Sequence, residues 1–338
     1  MQNKVIFVDL FGKVGPFVQA IAGAMPHENF AVYTCGLRDP IEIKNARFFG
    51  SWHDDRLSRL WYAFIATVLL LVRQRRDTTI VIVWSSVWLL DLMLMAWFTK
   101  VVLLEHNVIP HGKKKPLLSA RLNWYLATQI VLLSDYSFSR FSVWSNLFYL
   151  EKTFILQHPL IDRCQTQKMQ TSKKLEEKIC FFGTPRGNRG LESLCDFIEN
   201  YDDLELHIFS QVSDEFIAKY HSQKLFFHNE YLPQEDFVKH MNSGGVAILP
   251  YNHSTQSGIF YSLLANQVPF LATNTGDVGI KLQSYGLDCL LIDSEKLEEI
   301  PYKLDYINNN YADIQMAIKK MAIDVEANFN VALAELVS

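Results

Sequence analysis

Short apolar runs alternate with helix-forming stretches along most of the chain. Near the C-terminal end, Val246–Leu249 and Pro269–Ala272 flank Ile259–Asn266, a segment of good helix formers. Apolar runs of this length without polar alternation are typical of strands buried on both faces of a parallel sheet. The same pattern recurs at Val5–Leu10 and Lys178–Gly183. The sequence therefore predicts an α/β protein with two Rossmann-like halves.

A polar loop and a capped helix follow the Val246–Leu249 run. Ser257 is a favoured N-cap residue, and Gly258 leaves space beside the first helical turn. A helix N-terminus carries unpaired N–H groups and a partial positive charge, so a diphosphate could bind there. The alternative is that the Ser-Gly pair is only a cap with a tight turn.

A second candidate anion site follows the Lys178–Gly183 run. The segment Thr184–Gly190 is rich in glycine and carries Arg186 and Arg189 directly before a predicted helix. Small residues let backbone amides approach a phosphate, and a guanidinium offers two charged hydrogen bonds. The alternative is a solvated basic turn.

Two histidines follow the apolar run Lys100–Glu105. His106 and His111 then lie at the carboxyl edge of a parallel sheet, where open α/β sheets bind ligands. They are candidates for proton transfer or for hydrogen bonds to a substrate. Either one could equally be a loop histidine whose hydrogen bonds are satisfied within the protein.

Two long apolar segments precede those histidines. Leu60–Val72 contains no charge over 13 residues, and arginines stand on both sides of it. A span across a bilayer needs about 20 residues, so the segment is too short to cross. Together with Val87–Thr99 it predicts either core helices or helices that lie in a membrane interface.

Composition indicates a globular chain of two domains, with 49% hydrophobic and 20% charged residues among 338. Residues 1–160 hold 17 Lys and Arg against 11 Asp and Glu, whereas residues 161–338 hold 15 against 25. A basic first half suits an anionic surface or acceptor and does not suffice to predict nucleic-acid binding. Five scattered cysteines without a CxxC pair, and a start that is not a signal peptide, favour a reducing, cytoplasmic location.

The pattern P-x(6)-SG-x(10)-P-x-x-A-T-x-x-G runs from Pro250 to Gly276. It resembles the donor-nucleotide segment of GT-B glycosyltransferases, especially the retaining family 4 group. That family usually carries an acidic pair, E-x(7)-E, that contacts the sugar and the ribose. Here Ser254 and Ser262 stand at those positions, so the acidic pair is replaced, and Ser262 is the donor-side candidate.

Three other segments resemble the same family. Gly183 to Arg189 is similar to its G-R-x-x-x-x-K-G loop, which implies that Arg189, aided by Arg186, binds the donor diphosphate. The segment FFHNEYLP is similar to the one that cradles the nucleotide base, which makes Tyr231 the stacking candidate. The segment HNVIPH resembles HN-x-x-PH, which implies that His106 and His111 face the acceptor.

The resemblance implies a GT-B fold, in which two Rossmann-like domains with parallel sheets face each other across a cleft. We expect an acceptor-binding domain at residues 1–160, a linker at 161–177, a donor-binding domain at 178–320 and a helical tail at 321–338. The implied activity is transfer of a hexose from a nucleotide-sugar, without a metal or another cofactor. Retention or inversion stays open, with Asp9 and Asp135 as further candidate bases.

The acceptor implied by the apolar helices and basic loops is a lipid-linked saccharide or an oligosaccharide. This predicts a peripheral protein on the inner face of the cell membrane, acting in surface polysaccharide assembly. Two other classes remain open. A non-catalytic GT-B partner subunit would suit the serines at the acidic positions, and a UDP-sugar epimerase shares the fold.

Overall fold

In the computed structural model the chain forms two α/β units. The structure describes residues 5–25, 30–37, 41–51, 54–85, 88–108, 116–163, 178–187, 189–201, 203–243, 245–254 and 256–337. Unit 1 comprises Met1–Pro159 and Ala327–Ser338, and unit 2 comprises Leu160–Glu326. Residues 164–177 of the predicted linker lie outside the described residues, as do His111 and the basic loop Gly112–Lys115.

Unit 1 is built on a seven-stranded parallel sheet with the order β3-β2-β1-β4-β5-β6-β7. Its elements are β1 (Val5–Asp9), α1 (Gly15–Ala24), β2 (Phe30–Cys35), β3 (Ala46–Phe49), α2 (Arg56–Arg73), β4 (Thr79–Ile82), α3 (Trp88–Trp97), β5 (Lys100–Glu105), α4 (Leu118–Leu126), β6 (Gln129–Leu132), α5 (Asp135–Ser142), α6 (Leu147–Leu150) and β7 (Thr153–Ile155).

Apolar side chains cover both faces of the unit 1 sheet. One layer holds the buried stripe of α2 with residues of α3, α4 and α5, including Leu70, Leu94 and Trp124. The other layer holds α1 and the last turns of the C-terminal helix, including Phe17 and Phe329. Burial on both faces explains why β1, β4 and β5 are continuous apolar runs in the sequence.

Unit 2 is built on a six-stranded parallel sheet with the order β10-β9-β8-β11-β12-β13. Its elements are β8 (Lys178–Phe182), α7 (Leu191–Glu199), β9 (Glu205–Phe209), α8 (Asp214–Ala218), β10 (Leu225–His228), α9 (Gln234–Met241), β11 (Val246–Leu249), α10 (Gly258–Asn266), β12 (Phe270–Thr273), α11 (Gly276–Ser284), β13 (Leu291–Ile292) and α12 (Ile300–Asn309). The C-terminal helix α13 (Tyr311–Val337) begins in unit 2, and its residues from Ala327 onward belong to unit 1.

The last strands of unit 2 have short connections and short lengths. α11 begins at Gly276, so the loop after β12 is only Asn274 and Thr275. β13 has only two residues and follows a 3₁₀ turn at Asp288–Leu290. β3 is not recognisable in the sequence, because its half-exposed residues at the edge of the sheet form no apolar run.

None of the helices in the described ranges is both long enough and apolar enough to cross a bilayer. No disulfide joins the four cysteines that the structure describes, Cys35, Cys180, Cys195 and Cys289.

Candidate functional site

The loops after β8 and β11 lie side by side at the carboxyl edge of the unit 2 sheet. β8 pairs with β9 on one side and with β11 on the other. The chain continues from β8 towards β9 and β10, and later from β11 towards β12 and β13. The strand order therefore reverses between β8 and β11. The crevice outside such a reversal is the place where open α/β sheets bind ligands.

Two glycines shape the loop that follows β8. Gly183 and Gly190 both have left-handed backbone, with φ of +98° and +64°. A Cβ at Gly190 would lie 1.9 Å from the carbonyl oxygen of Pro250, so this loop packs directly against the end of β11. Glycine is required at 190 because any side chain would collide with backbone.

Arg189 joins this loop to the segment after β11. Its Nη1 donates a hydrogen bond of 3.0 Å to the hydroxyl of Tyr251, and its guanidinium lies 4.9 Å above the centre of the Tyr251 ring. The Tyr251 hydroxyl is also 3.0 Å from Oγ of Ser257. A hydrogen-bonded chain thus runs from the basic loop, through Tyr251, to the cap of α10.

Ser257 caps α10 as the sequence predicted. It is buried, and its Oγ accepts a hydrogen bond of 3.4 Å from the backbone N–H of Phe260. A Cβ at Gly258 would meet only the Cδ1 atom of Ile161, at 3.5 Å, so space remains beside the first turn. The same series of hydrogen bonds therefore joins the Arg189 guanidinium to the positive end of the α10 dipole.

Arg186 brings a second positive charge to the same loop. Its carbonyl accepts a hydrogen bond of 2.8 Å from the N–H of Arg189, which closes the turn between them. Partial burial lowers the pKa of the Arg186 guanidinium, and the nearby charge of Arg189 lowers it further. Two neighbouring like charges disfavour each other, and a bound anion would relieve that repulsion.

Tyr251 is a central residue of this site and lies in the polar loop after β11. Its ring is buried, and its carbonyl accepts hydrogen bonds from the hydroxyls of Thr273 (2.6 Å) and Thr275 (3.4 Å). The signal available in the sequence was an aromatic residue directly after the Pro250 that ends β11. Its partner is 62 residues away in the chain, so no local pattern could reveal the contact.

Ser262 and Ser254, the residues at the acidic positions of the family, have different surroundings. Ser262 is fully buried, and its hydroxyl donates to a carboxylate oxygen of Asp162 at 2.6 Å. The hydroxyl of Ser254 donates to the carbonyl of Gln256 at 3.2 Å. The structure thus turns Ser262 towards Asp162, and its contact with a donor stays a prediction.

Asp162 was not singled out in the sequence. Its backbone is left-handed, with φ of +55°. The amide of Gln234 donates to its second carboxylate oxygen at 2.8 Å, and the amide of Asn266 donates to its carbonyl at 2.8 Å. With Ser262, these contacts fasten the start of unit 2 to α9 and α10. Aspartate suits this position because it tolerates left-handed backbone and accepts several hydrogen bonds.

Tyr231 lies in the loop after β10, at the carboxyl edge of the same sheet, and is 36% exposed. The structure brings Arg186, Arg189, Ser257 and Gly258 together at the strand reversal. Tyr231 follows the edge strand β10, which β9 separates from β8. Its contact with a nucleotide base stays a prediction.

In unit 1, His106 is buried at the carboxyl edge of β5. Its ring packs edge-on against Phe17 and lies 4.9 Å from the ring of Trp84. Its Nε2 lies 2.9 Å from the carbonyl oxygen of Val83, and a carbonyl only accepts, so Nε2 carries the proton. Burial lowers the pKa of His106 to about 4. An imidazole with this pKa is neutral and a weak base at neutral pH.

The two carboxylates named as alternative bases are placed differently. Asp9 is buried at the end of β1 and accepts hydrogen bonds from the backbone N–H groups of Lys13 (3.2 Å) and Val14 (3.1 Å). Asp9 therefore holds the Gly-bearing loop before α1. Asp135 is exposed at the first position of α5.

Asp91 is a buried carboxyl on α3 whose titration affects stability. Its carboxylate accepts a hydrogen bond of 2.5 Å from Ser85, and burial raises its pKa to about 7. The folded pKa lies above the unfolded value of 3.8, so the unfolded state ionises first. The contribution of Asp91 to stability is therefore complete below about pH 4 and is lost as the pH rises to about 7.

We expect Asp91→Asn to remove this pH dependence, because asparagine accepts the same Ser85 hydrogen bond without a charge. Between pH 5 and pH 8 the free energy of unfolding of the variant should gain roughly 2 kcal/mol relative to wild type. Urea unfolding of both proteins at the two pH values measures this difference. A difference that stays constant with pH would contradict a raised pKa of Asp91.

No cluster of three or more potential metal-ligating side chains occurs among the residues that the structure describes. His111, the second histidine candidate, lies outside them.

No family model and no curated protein matches the chain. Solved structures do match it. Sucrose-phosphate synthase from Thermosynechococcus elongatus is 12% identical, with a TM-score of 0.67 over 99% of this chain and 97% of that one. UDP-forming trehalose-phosphate synthase from Burkholderia vietnamiensis is 7% identical, with a TM-score of 0.66 over 99% and 98%. Anabaena HepE in complex with UDP is 12% identical, with a TM-score of 0.66 over 99% and 98%.

At these identities the likeness establishes the fold. The chain has the GT-B fold, with two α/β domains built on parallel sheets, and this confirms the fold predicted from the sequence.

Proposed function

We propose that the chain is a glycosyltransferase that takes a sugar from a UDP-sugar bound at the strand reversal of unit 2. The main support for the proposal is the series of hydrogen bonds that joins Arg189 to Tyr251 and Tyr251 to Ser257. It connects a guanidinium with a helix N-terminus at the position where this type of sheet binds ligands. UDP is the nucleotide favoured by the similar structures, since one contains UDP and another is a UDP-forming synthase.

In the proposed reaction the bond between C1 of the sugar and the diphosphate oxygen breaks, and its electron pair leaves with UDP. An acceptor hydroxyl forms the new bond to C1, and its proton passes to the oxygen of the leaving diphosphate. Arg189, Arg186 and the N–H groups at the start of α10 stabilise the negative charge that develops on the leaving diphosphate. Fixed donors aimed at developing charge are a large contribution to catalysis. The proposal needs no metal and no cofactor besides the nucleotide-sugar.

The acceptor side of the proposal rests on unit 1. The proposal takes His106, buried at the carboxyl edge of β5, as the acceptor-side residue. The acceptor proposed from the sequence is a lipid-linked saccharide or an oligosaccharide. The similar structures include synthases of sucrose phosphate and trehalose phosphate, so a sugar phosphate is the competing acceptor.

The first test is a thermal-shift screen of the full chain against UDP, GDP, dTDP and CMP. A ligand that binds only the folded protein raises the melting temperature. We expect UDP to give the largest shift. The absence of a shift with every nucleotide would overturn the donor site.

A second step separates catalysis from binding. UDP-glucose, UDP-galactose and UDP-N-acetylglucosamine are incubated with the chain and with glucose 6-phosphate, fructose 6-phosphate or a polyprenyl-diphosphate-linked sugar, and released UDP is measured. Release that depends on an acceptor identifies a transferase and its acceptor class. Binding of UDP without release from any pair would instead support the non-catalytic partner subunit, which the buried Ser262 at an acidic position of the family also suits.

We expect Tyr251→Phe to weaken UDP binding about tenfold, which corresponds to roughly 1.4 kcal/mol. The phenyl ring keeps its stacking under the guanidinium, but the hydroxyl that joins Arg189 to Ser257 is lost. Isothermal titration calorimetry with UDP measures the effect. Tyr302→Phe is the matched control, because Tyr302 is 72% exposed on α12. Equal affinities for wild type and Tyr251→Phe would show that this hydroxyl does not position Arg189.

A further inference from the structure

Large apolar side chains are exposed on one part of unit 1 far more than elsewhere. Of the 25 exposed large hydrophobic residues in the described ranges, 16 lie between residues 57 and 148. Unit 2 holds only seven of the others, and they are scattered. The 16 are Leu57, Leu60, Trp61, Phe64, Val72, Trp88, Leu89, Trp97, Leu117, Leu118, Leu122, Tyr125, Leu126, Val143, Leu147 and Phe148.

Fourteen of the 16 residues belong to α2, α3, α4 or α6, whose inner residues pack into the same apolar layer on one side of the sheet. α3 packs against α2 and against α4, and the three helices cover one apolar layer of the core. We call the outward surface of α2, α3, α4 and α6 the outer helix face. Neighbouring helices that each expose several large apolar side chains are unusual on a monomeric domain, and such exposure marks a site of interaction.

The exposed apolar residues of α2 recur at a regular helical spacing. Its buried stripe, with Ala63, Ala66 and Leu70, packs on the sheet. A second apolar stripe, starting at Leu57 and including Trp61 and Phe64, follows helical spacing on the outward side. It continues to Val72 in the last turn, which is about 22 Å along the helix axis. The inner stripe packs α2 on the sheet, so the outer stripe is not needed for that packing and is available for a contact outside the unit.

The charge at one end of the outer helix face is positive. Arg73, Arg75, Arg76 and Lys100 are exposed where α2 and α3 end. Arg75 pairs with the exposed carboxylate of Asp77 at 3.3 Å, which leaves a net positive charge at this end. The Arg76 guanidinium lies 4.9 Å above the ring of Trp97 and donates to its carbonyl. At another helix end, the ammonium of Lys152 lies 4.7 Å above the ring of Phe148.

We propose that the outer helix face docks on the surface of an anionic phospholipid bilayer. An apolar stripe along the whole of α2 lets the helix lie parallel to the surface, with its outward side in the region between headgroups and acyl chains. Tryptophan and tyrosine prefer that depth, and exposed cations attract anionic headgroups. The cationic end distinguishes this partner from a neutral apolar protein surface. The inference does not depend on the donor site, because every residue that carries it lies in unit 1.

The test is co-sedimentation of the full chain with vesicles of phosphatidylcholine alone and with 30% phosphatidylglycerol. Wild type is expected to bind the anionic vesicles at least about tenfold more tightly. Trp61→Ser combined with Phe64→Ser should reduce binding to the anionic vesicles by about tenfold or more. Arg73→Gln combined with Arg75→Gln should cost roughly fivefold for each charge on anionic vesicles and nothing on neutral ones.

The matched control is Tyr302→Ser combined with Met316→Ser, which removes two apolar residues of unit 2 that are 72% and 64% exposed. It should bind vesicles like wild type, and all three double variants should keep the wild-type melting temperature because the changed residues are exposed. The proposal is overturned if wild type does not sediment with anionic vesicles, or if the Trp61 and Phe64 variant binds them like wild type. It is also overturned if wild type forms a dimer that this variant abolishes, because the face then serves a second copy of the chain.

Discussion

Replacing Arg189 with alanine is expected to remove most of the activity of the proposed transferase. The guanidinium lies at the strand reversal of unit 2 and is held by Tyr251. If it stabilises the charge that develops on the leaving diphosphate, its loss should lower the rate of UDP release by about 10²- to 10³-fold. The UDP-induced rise in melting temperature should fall to near zero. Steady-state kinetics and the thermal-shift measurement follow the two effects separately.

Two variants make this result interpretable. Arg189→Lys keeps the charge but loses the fork-shaped donor set, so it should recover only part of the UDP affinity. Arg163→Ala removes another arginine of unit 2, whose exposed pair with Glu326 contributes little, and it should behave like wild type. Wild-type UDP binding by Arg189→Ala would exclude the loop after β8 as the diphosphate site.

The second large effect is expected from Gly190→Ala. The new Cβ would lie 1.9 Å from the carbonyl oxygen of Pro250, and φ at this residue is +64°. Backbone must move, and the residue must adopt left-handed backbone that alanine disfavours, so we expect a loss of about 4 kcal/mol in the free energy of unfolding. Urea unfolding measures this loss. UDP affinity should fall with it, because the movement separates Arg189 from Tyr251.

Gly187→Ala is the control for this experiment. It lies in the same loop, and no heavy atom would come within 4 Å of its Cβ. We expect a change in stability of less than about 0.5 kcal/mol, as for surface positions in general. A similar loss in both variants would mean that alanine destabilises this loop for a reason other than the close contact with Pro250.

The sequence contained enough to predict the parallel strands and most of the helices. Buried parallel strands are continuous apolar runs, so β1, β5, β8 and β11 were visible without any structure. The cap of α10 was visible as well, because Ser257 acts on residues three positions away. β3 was not visible, since a half-exposed edge strand has neither an apolar run nor strict alternation.

The candidate site was predictable only in part. Arg186, Arg189, Ser257 and Gly258 were identified because loops after parallel strands meet at one edge of a sheet. The roles of Tyr251 and Asp162 were not, because their contacts join residues that are 62 and 100 positions apart. Nor could the sequence show that Ser262 is fully buried and bonded to Asp162.

The same division applies to the apolar helices of unit 1. The sequence showed that Leu60–Val72 is uncharged and too short to span a bilayer, and it left a core helix and an interfacial helix open. The tertiary structure decided that α2 has both an inner and an outer apolar stripe, because only the packing of α2 on the sheet shows which side is covered. Local sequence fixes secondary structure through propensity and periodicity. Burial and long-range contacts depend on how the elements pack, and this is why the site and the outer helix face required the fold.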